Sequence, residues 1–283
     1  MKYEVNAMMF PVKWKNYKKN ISFFRLRFAM CMQYRTAALA GIATQFVWGF
    51  MEINVFHAFN NSHPTAFPMK FDQLASYIWM QQAFLALFMT WFMENEIFDC
   101  IMDGNVCYEL CRPIDIYDMW FARSVANRTS RAVLRCIPIL LVAFFLPEPF
   151  AMTLPPDILT FICFVISMIL GMTVTVAMCM LIYMLSFFTV SPQGLRIIFA
   201  MTAELLQGIV IPLPFFPPRV QRIMELLPFA SMENVPLRIY SGHISGCEAA
   251  KAMLLQLFWI IILIATGKLI CRRAMKKVTV QGG

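Results

Sequence analysis

Charged side chains are scarce in this sequence of 283 residues. Asp, Glu, Lys and Arg together make up 14% of it, whereas an average soluble domain has about 25%. Hydrophobic residues make up 60%, and the mean hydropathy is +0.64. A soluble globule cannot cover so much apolar surface with so few polar side chains, so the soluble, disordered and fibrous classes are excluded. The composition predicts an integral membrane protein.

Residues that bind metals or form disulfide frameworks are few or badly spaced. Only three histidines occur, and none is expected to share a helix face with another His or Cys. The nine cysteines are an odd number, and Cys100, Cys107 and Cys111 lack the C-x2-C pairs typical of zinc sites. The sequence therefore predicts no metal site, no disulfide framework and no clustered ligands for an intramembrane enzyme.

Six stretches have the length and apolar character of membrane spans. A span needs roughly 20 apolar residues to cross about 30 Å of hydrocarbon. The predicted spans cover residues 37–58, 74–93, 129–146, 158–190, 196–216 and 252–270. The third is the weakest because it contains Arg135 and Pro138, and the fourth must tilt or project beyond the bilayer. The predicted fold class is an all-α polytopic membrane protein with six transmembrane helices.

The basic residues are unevenly divided between the two sides of these spans. Eighteen of the 24 Lys and Arg residues flank the side shared by both termini, and five flank the other. Because cytoplasmic loops carry the excess of Lys and Arg, both termini are predicted to be cytoplasmic. The net charge of +8 is expected to face anionic lipid rather than nucleic acid.

This topology divides the chain into two parts. Residues 1–36 form a cytoplasmic arm, and residues 37–283 form the six-span domain. Within that domain, residues 94–128 form a cytoplasmic loop and residues 217–251 an outer segment. We see no internal repeat, and none of the soluble parts is long enough to be an independent enzymatic domain.

The arm before the first span has the periodicity of an amphipathic helix. Apolar side chains recur at steps of three and four residues and fall on one helical face: Trp14, Tyr17, Ile21, Phe24, Phe28 and Cys31. Lysines and arginines occupy much of the remaining surface. This pattern predicts a helix lying in the membrane interface, and a helix packed against another protein domain is the alternative.

The cytoplasmic loop carries seven acidic residues and contains two breaks in the chain. Asp103-Gly104 is a turn signal, and Arg112-Pro113 is expected to end any helix that begins after the turn. A short helix between these breaks, surrounded by Asp and Glu, is suited to docking a partner protein. An ordinary solvated connection is the alternative.

Polar residues inside the predicted spans are the other candidates for function. Glu204 and Gln207 lie in the fifth span, and Glu52 lies near the outer end of the first. A carboxylate at membrane depth is costly, on the order of 2.5–3.5 kcal/mol, and its usual explanation is functional. These residues are expected either to line a substrate path or to form a helix–helix contact.

Several segments resemble type-two ABC exporter permeases, in the branch that includes daunorubicin and lantibiotic exporters. Residues 104–113 match the element G-x-x-x-x-x-L-x-R-P and are followed by Trp-Phe-Ala-Arg at 120–123. Residues 208–218, rich in proline, close the fifth span, and residues 227–232 precede the stretch 236–242. With the basic arm and the six-span plan, the resemblance covers nearly the whole chain.

The resemblance implies a permease subunit that depends on a separate ATPase. The sequence agrees, since it contains no G-x-x-x-x-G-K-[ST] phosphate loop. In the family, the loop between spans two and three contacts the ATPase, which assigns docking roles here to Asp103, Gly104, Glu109, Arg112 and Pro113. Re-entrant helices between spans five and six are also implied.

The implied assembly contains two permease subunits, identical or paralogous, and two ATPase subunits that hold ATP and magnesium. This chain itself is expected to be no enzyme and to hold no cofactor. The location implied is the bacterial cytoplasmic membrane. An ion-coupled secondary transporter is the alternative function, but that class usually shows inverted repeats and several intramembrane charges.

Overall fold

The computed structural model describes residues 13–33, 35–64 and 67–276. The chain is 77% helical, with no strand among the described residues. The helices are α1 Lys13–Cys31, α2 Arg35–Ser62, α3 Phe71–Phe88, α4 Asn95–Met102, α5 Val106–Leu110, α6 Ile116–Phe145, α7 Ile158–Ser186, α8 Pro192–Gln207, α9 Pro218–Leu226, α10 Asn234–Tyr240 and α11 Gly246–Met275. The all-helical class is therefore confirmed.

Each of the six predicted spans overlaps one helix, but several helix ends differ from the predicted span ends by five residues or more. The second predicted span runs to residue 93, whereas α3 ends at Phe88. The third begins at residue 129, whereas α6 begins at Ile116, inside the predicted cytoplasmic loop. The fifth runs to residue 216, whereas α8 ends at Gln207.

The early end of α8 has a local cause in the backbone. Gly208 adopts a φ of +88°, which stops the helix in a conformation that favours glycine. A 3₁₀ turn follows at Leu213–Phe215, between prolines that cannot donate helical hydrogen bonds. At about 1.5 Å per residue, α8 is roughly 24 Å long, shorter than the hydrocarbon thickness of about 30 Å.

Two of the described helices, α7 and α11, are long and apolar enough to cross a bilayer by length and composition alone. The other four predicted spans carry more polar residues or are shorter. The six-span topology and the cytoplasmic placement of both termini stay predictions.

Helix α7 is the centre of the fold, with α11, α6 and α10 packed against it. The Ser167 hydroxyl of α7 donates to the side-chain oxygen of Gln256 on α11 at 3.0 Å. Gln256 in turn donates to the carbonyl oxygen of Ser231 at 2.9 Å. A Cβ atom at Gly171 would lie 2.1 Å from the carbonyl oxygen of Met232, so only glycine lets residues 231–232 approach α7 this closely.

The arm forms the predicted helix, α1, and it packs against α6 of the same chain. The Cys31 thiol donates to the side-chain oxygen of Asn127 at 2.9 Å. Ile21, Phe24 and Phe28, on the predicted apolar face, are partly buried. The side chains of Trp14 and Tyr17, and the terminal lysines among residues 1–12 and 277–283, lie outside the described residues.

Candidate functional site

The loop of residues 94–128 contains the turn and the short helix that the sequence predicts. Gly104 has a φ of +73°, and a Cβ atom there would meet nothing within 4 Å. Asp103 ends α4, and its N–H donates to the carbonyl oxygen of Asp99 at 2.8 Å. Helix α5 begins two residues after Gly104 and ends at Leu110, before Pro113. The loop is therefore a folded knob and not an extended connection.

The charges on this knob are partly exposed and partly paired with each other. The Arg112 guanidinium lies 3.5 Å from the Glu109 carboxylate, with side-chain exposures of 46% and 19%. Pro113 is exposed, and its carbonyl oxygen accepts a hydrogen bond at 2.8 Å from the ammonium group of Lys19 on α1. The arm and the loop thus meet at Pro113. Asp103, Gly104, Arg112 and Pro113 are exposed, and Glu109 is partly buried.

An ion-pair network joins the loop to the arm and to α6. The Arg123 guanidinium bonds the carboxylates of Glu94 and Glu96. The Ser124 hydroxyl donates to Glu94 at 3.3 Å, and Arg27 of α1 lies 3.8 Å from Glu96. These contacts therefore connect the loop directly to α1 and α6.

Arg128 donates hydrogen bonds to the backbone where α3 ends and in the non-helical stretch that follows it. Its side chain is 4% exposed, and it donates to the carbonyl oxygens of Leu87 at 3.0 Å, Met89 at 2.8 Å and Phe92 at 3.3 Å. It also donates to the Cys179 sulfur of α7 at 3.3 Å. One planar guanidinium thus satisfies carbonyls at the end of α3 that have no helical partner.

The C-terminal part of α11 is attached to the start of α6. The Lys268 ammonium group lies 2.6 Å from the Asp118 carboxylate. A Cβ atom at Gly267 would lie 2.7 Å from the Tyr117 hydroxyl, so the glycine permits close approach of the two helices. The predicted span six and the loop are therefore linked in the same region.

A second polar site is buried at the other end of the molecule. We call it the outer polar cluster, and its members are Glu52, Tyr77, Gln82, Gln207, Glu233 and Asn234. The Gln82 amide donates to Glu52 at 3.4 Å, and the Tyr77 hydroxyl donates to the Asn234 side-chain oxygen at 3.5 Å. Tyr77, Gln207 and Asn234 are fully buried, and Glu233 is 1% exposed.

Several atoms of this cluster have no hydrogen-bond partner among the described residues. They are one carboxylate oxygen of Glu52, both carboxylate oxygens of Glu233, both amide atoms of Gln207 and the amide nitrogen of Asn234. Buried polar atoms in folded proteins are nearly always paired. So many unpaired polar atoms in one buried cluster therefore indicate a bound ligand, a bound proton or a partner protein.

The three intramembrane candidates from the sequence are not brought together. Glu52 and Gln207 belong to the outer polar cluster, Glu52 from α2 and Gln207 from the end of α8. Glu204, about one turn earlier on α8, is partly exposed, and Met201, three residues before it on the same helical face, is exposed. Glu204 therefore faces out of the single chain.

A groove lies beside the outer polar cluster, between α9, α10 and the start of α11. Its volume is about 890 Å³, and Asn234, Arg238, Glu225 and Lys251 are among the residues that line it. Arg238 lies 2.5 Å from Glu225 across the groove. Asn234 is shared by the groove and the cluster, so the two are adjacent.

The sequence did not identify Glu233, Tyr77 or Arg128 as functional residues. Arg128 was one of the basic residues that flank the predicted spans. Glu233 lay in the predicted outer segment and had no assigned role. The one signal available was a lone acidic residue inside an apolar stretch at 227–240. Across the described ranges, no group of three or more His, Cys, Asp and Glu side chains could hold a metal ion.

Comparison with known proteins gives one match. A family model described as ABC-2 family transporter protein matches residues 68–282. No curated protein matches the chain. The matched region begins before α3 and includes the loop, most of the ion-pair network and most of the outer polar cluster.

Proposed function

The chain belongs to the ABC-2 family of transporter proteins, and from this we propose that it is the permease subunit of an ATP-driven exporter in the bacterial cytoplasmic membrane. The observation that carries the proposal is the family match over residues 68–282 in a chain without a phosphate loop. ATP and magnesium are then held by a separate ATPase, and this chain is no enzyme. Co-purification of that ATPase, and its loss in loop variants, tests the proposal.

The ATPase docks on the knob between α4 and α6. Its surface presents Asp103, Gly104, Glu109, Arg112 and Pro113, and the knob is held to α1 and α6 by specific contacts. Closure of the ATPase on ATP would push this knob, and the ion pairs of Arg123 would pass the movement to the membrane helices. Two permease chains, identical or paralogous, and two ATPases complete the assembly.

The membrane topology is six spans with both ends in the cytoplasm. Helices α2, α3, α6, α7, α8 and α11 are the spans, and α1 lies at the cytoplasmic interface, where its exposed basic residues can face anionic lipid. Helices α9 and α10 form the outer segment. Because α8 is shorter than the bilayer, the 3₁₀ turn, whose Leu213 and Pro214 are buried in protein, extends it as a re-entrant segment.

The topology predicts that exposed residues of the loop and of the outer segment react from opposite sides. Single cysteines at Asn105 and at Glu248, both exposed, are placed in a chain whose native cysteines are replaced. Asn105→Cys is expected to react with a membrane-impermeant maleimide only in inverted vesicles, and Glu248→Cys only in intact cells. Reaction of both from outside intact cells would contradict the six-span topology.

Glu204 is proposed to face the substrate path or the second permease chain. A carboxylate facing lipid would be costly, and this one points out of the single chain. Glu204→Gln, which is nearly isosteric, is expected to leave expression unchanged and to alter ATP hydrolysis by the assembled complex in lipid. The matched control is Ile198→Leu, at an exposed apolar position on the same helix. ATP hydrolysis at the wild-type rate by the Glu204→Gln complex would show that Glu204 has only a packing role.

A further inference from the structure

Glu233 is the least compensated polar group among the described residues. It lies directly before α10 and is 1% exposed, and neither carboxylate oxygen has a hydrogen-bond partner there. Moving an ionised carboxylate from water into such surroundings without a partner costs far more than the net stability of a protein. The group must therefore be neutralised.

The groups that face Glu233 offer no cation for this purpose. Helix α2 contributes the carboxyl of Glu52, and α3 contributes Tyr77, which interacts electrostatically with both carboxyl groups. From α10, Arg238 acts on Tyr77, but its guanidinium is paired with Glu225 of α9. Helices α7 and α11 approach the adjoining residues with Gly171 and Gln256, which do not titrate.

The surroundings of Glu233 favour its protonated form. Burial raises the pKa of Glu233 well above its usual range, and the charge of Glu52 raises it further. A protonated carboxyl is a hydrogen-bond donor, and unpaired acceptors exist in the same cluster on Glu52 and Gln207. Protonation thus removes the buried charge and supplies the missing donor.

We propose that the outer polar cluster is a proton-binding site, with Glu233 as the residue that carries the proton and Glu52 as the neighbouring group that holds it there. The carboxylate of Glu233 takes up one proton from water and becomes a carboxylic acid, with no other bond made or broken. The groove lined by Asn234 and Arg238 gives the proton its route. The site goes beyond the proposed function, because it is present in the isolated chain without ATPase or substrate.

Infrared spectroscopy of the purified chain in lipid tests this site. A protonated carboxyl absorbs at a higher frequency than a carboxylate, so wild type is expected to show a protonated-carboxyl band at neutral pH. Glu233→Gln, which mimics the neutral acid in size, is expected to fold and to lose the part of that band that Glu233 contributes. Glu248→Gln, at an exposed carboxylate of the same region, is the control and is expected to keep it.

The role of Glu52 has its own readout in the same experiment. In Glu52→Gln the neighbouring negative charge is absent, so the pH at which Glu233 loses its proton is expected to move down. Thermal unfolding follows the same linkage: a carboxyl protonated in the fold but ionised when unfolded makes stability fall as pH rises. Above about pH 5, the loss of stability with rising pH is expected to be smaller in Glu233→Gln than in wild type.

Three results would overturn the proposal. The first is the absence of a band assignable to Glu233, and the second is an unchanged deprotonation midpoint in Glu52→Gln. The third is a band that appears only when sodium and potassium are replaced by choline at constant pH. That last result would show that a metal cation, and not a proton, balances the cluster.

Discussion

Replacing Arg128 with Ala is expected to cause a larger loss of stability than any other single substitution around the loop between α3 and α6. Its guanidinium is almost fully buried and bonds three backbone carbonyls between α3 and α4 together with the Cys179 sulfur. Removing one partner of a buried charged contact typically costs about 3–5 kcal/mol. The carbonyl oxygens left unpaired add to this loss, because a buried acceptor without a donor typically costs about 1–3 kcal/mol.

The thermal unfolding midpoint of purified variants in detergent measures this effect. Arg128→Lys is expected to fall between wild type and Arg128→Ala, because an ammonium group keeps the charge but cannot span several carbonyls with a planar fork. The control is Arg273→Ala, at an exposed position near the end of α11, with an expected change within about 0.5 kcal/mol. Equal midpoints for Arg128→Ala and Arg273→Ala would show that Arg128 does not hold the break after α3.

The sequence predicted the helical class and the approximate position of every long helix. Apolar runs longer than about 20 residues have few alternatives to a membrane helix, and α7 and α11 meet that condition plainly. The turn at Gly104 and the end of α5 before Pro113 were also predictable, because glycine and proline act through local backbone geometry.

The boundaries that sequence reasoning missed depend on contacts between distant parts of the chain. Helix α3 ends at Phe88 although no glycine or proline stands there, and its exposed carbonyls are bonded by Arg128, 40 residues later. Helix α6 begins at Ile116 because the side chain of Asp115 accepts a hydrogen bond from the N–H of Asp118, a cap that hydropathy does not reveal.

The outer polar cluster could be predicted only in part for the same reason. Glu52 and Gln207 stood out as polar residues in apolar runs, whereas Glu233 lies in a segment that the sequence places outside the spans. Its burial depends on the packing of residues 231–232 against Gly171 and Gln256. No periodicity in the sequence encodes that contact.

Exchanging the charges of the loop, as Glu109→Arg with Arg112→Glu, is expected to abolish nearly all binding of the ATPase to the permease. The two residues pair with each other at 3.5 Å, so the exchange keeps an ion pair inside the knob and should leave its fold intact. The exchange reverses the signs of the two charges that the loop presents to the ATPase. Each favourable charge contact with the ATPase therefore becomes repulsive. Glu109→Gln alone loses only an exposed pair, about 0.2–1 kcal/mol, and should weaken docking without abolishing it.

The control for this exchange is a charge reversal on the opposite side of the membrane. Glu248→Arg changes an exposed carboxylate of the outer region and should leave ATPase binding unchanged. Membrane insertion and expression are expected to be equal in all variants, because the loop lies outside the spans. Loss of expression in the double exchange would be distinguished from loss of docking by the amount of permease recovered.

The measurement that tests the account most directly is the amount of P-loop ATPase that co-purifies with the tagged permease when the two are expressed together. The account predicts one ATPase chain for each wild-type permease chain, partial loss in Glu109→Gln, near-complete loss in the double exchange and no loss in Glu248→Arg. Wild-type permease recovered without any ATPase would contradict the proposed function. An ATPase bound equally by wild type and the double exchange would contradict the assignment of the loop as its docking site.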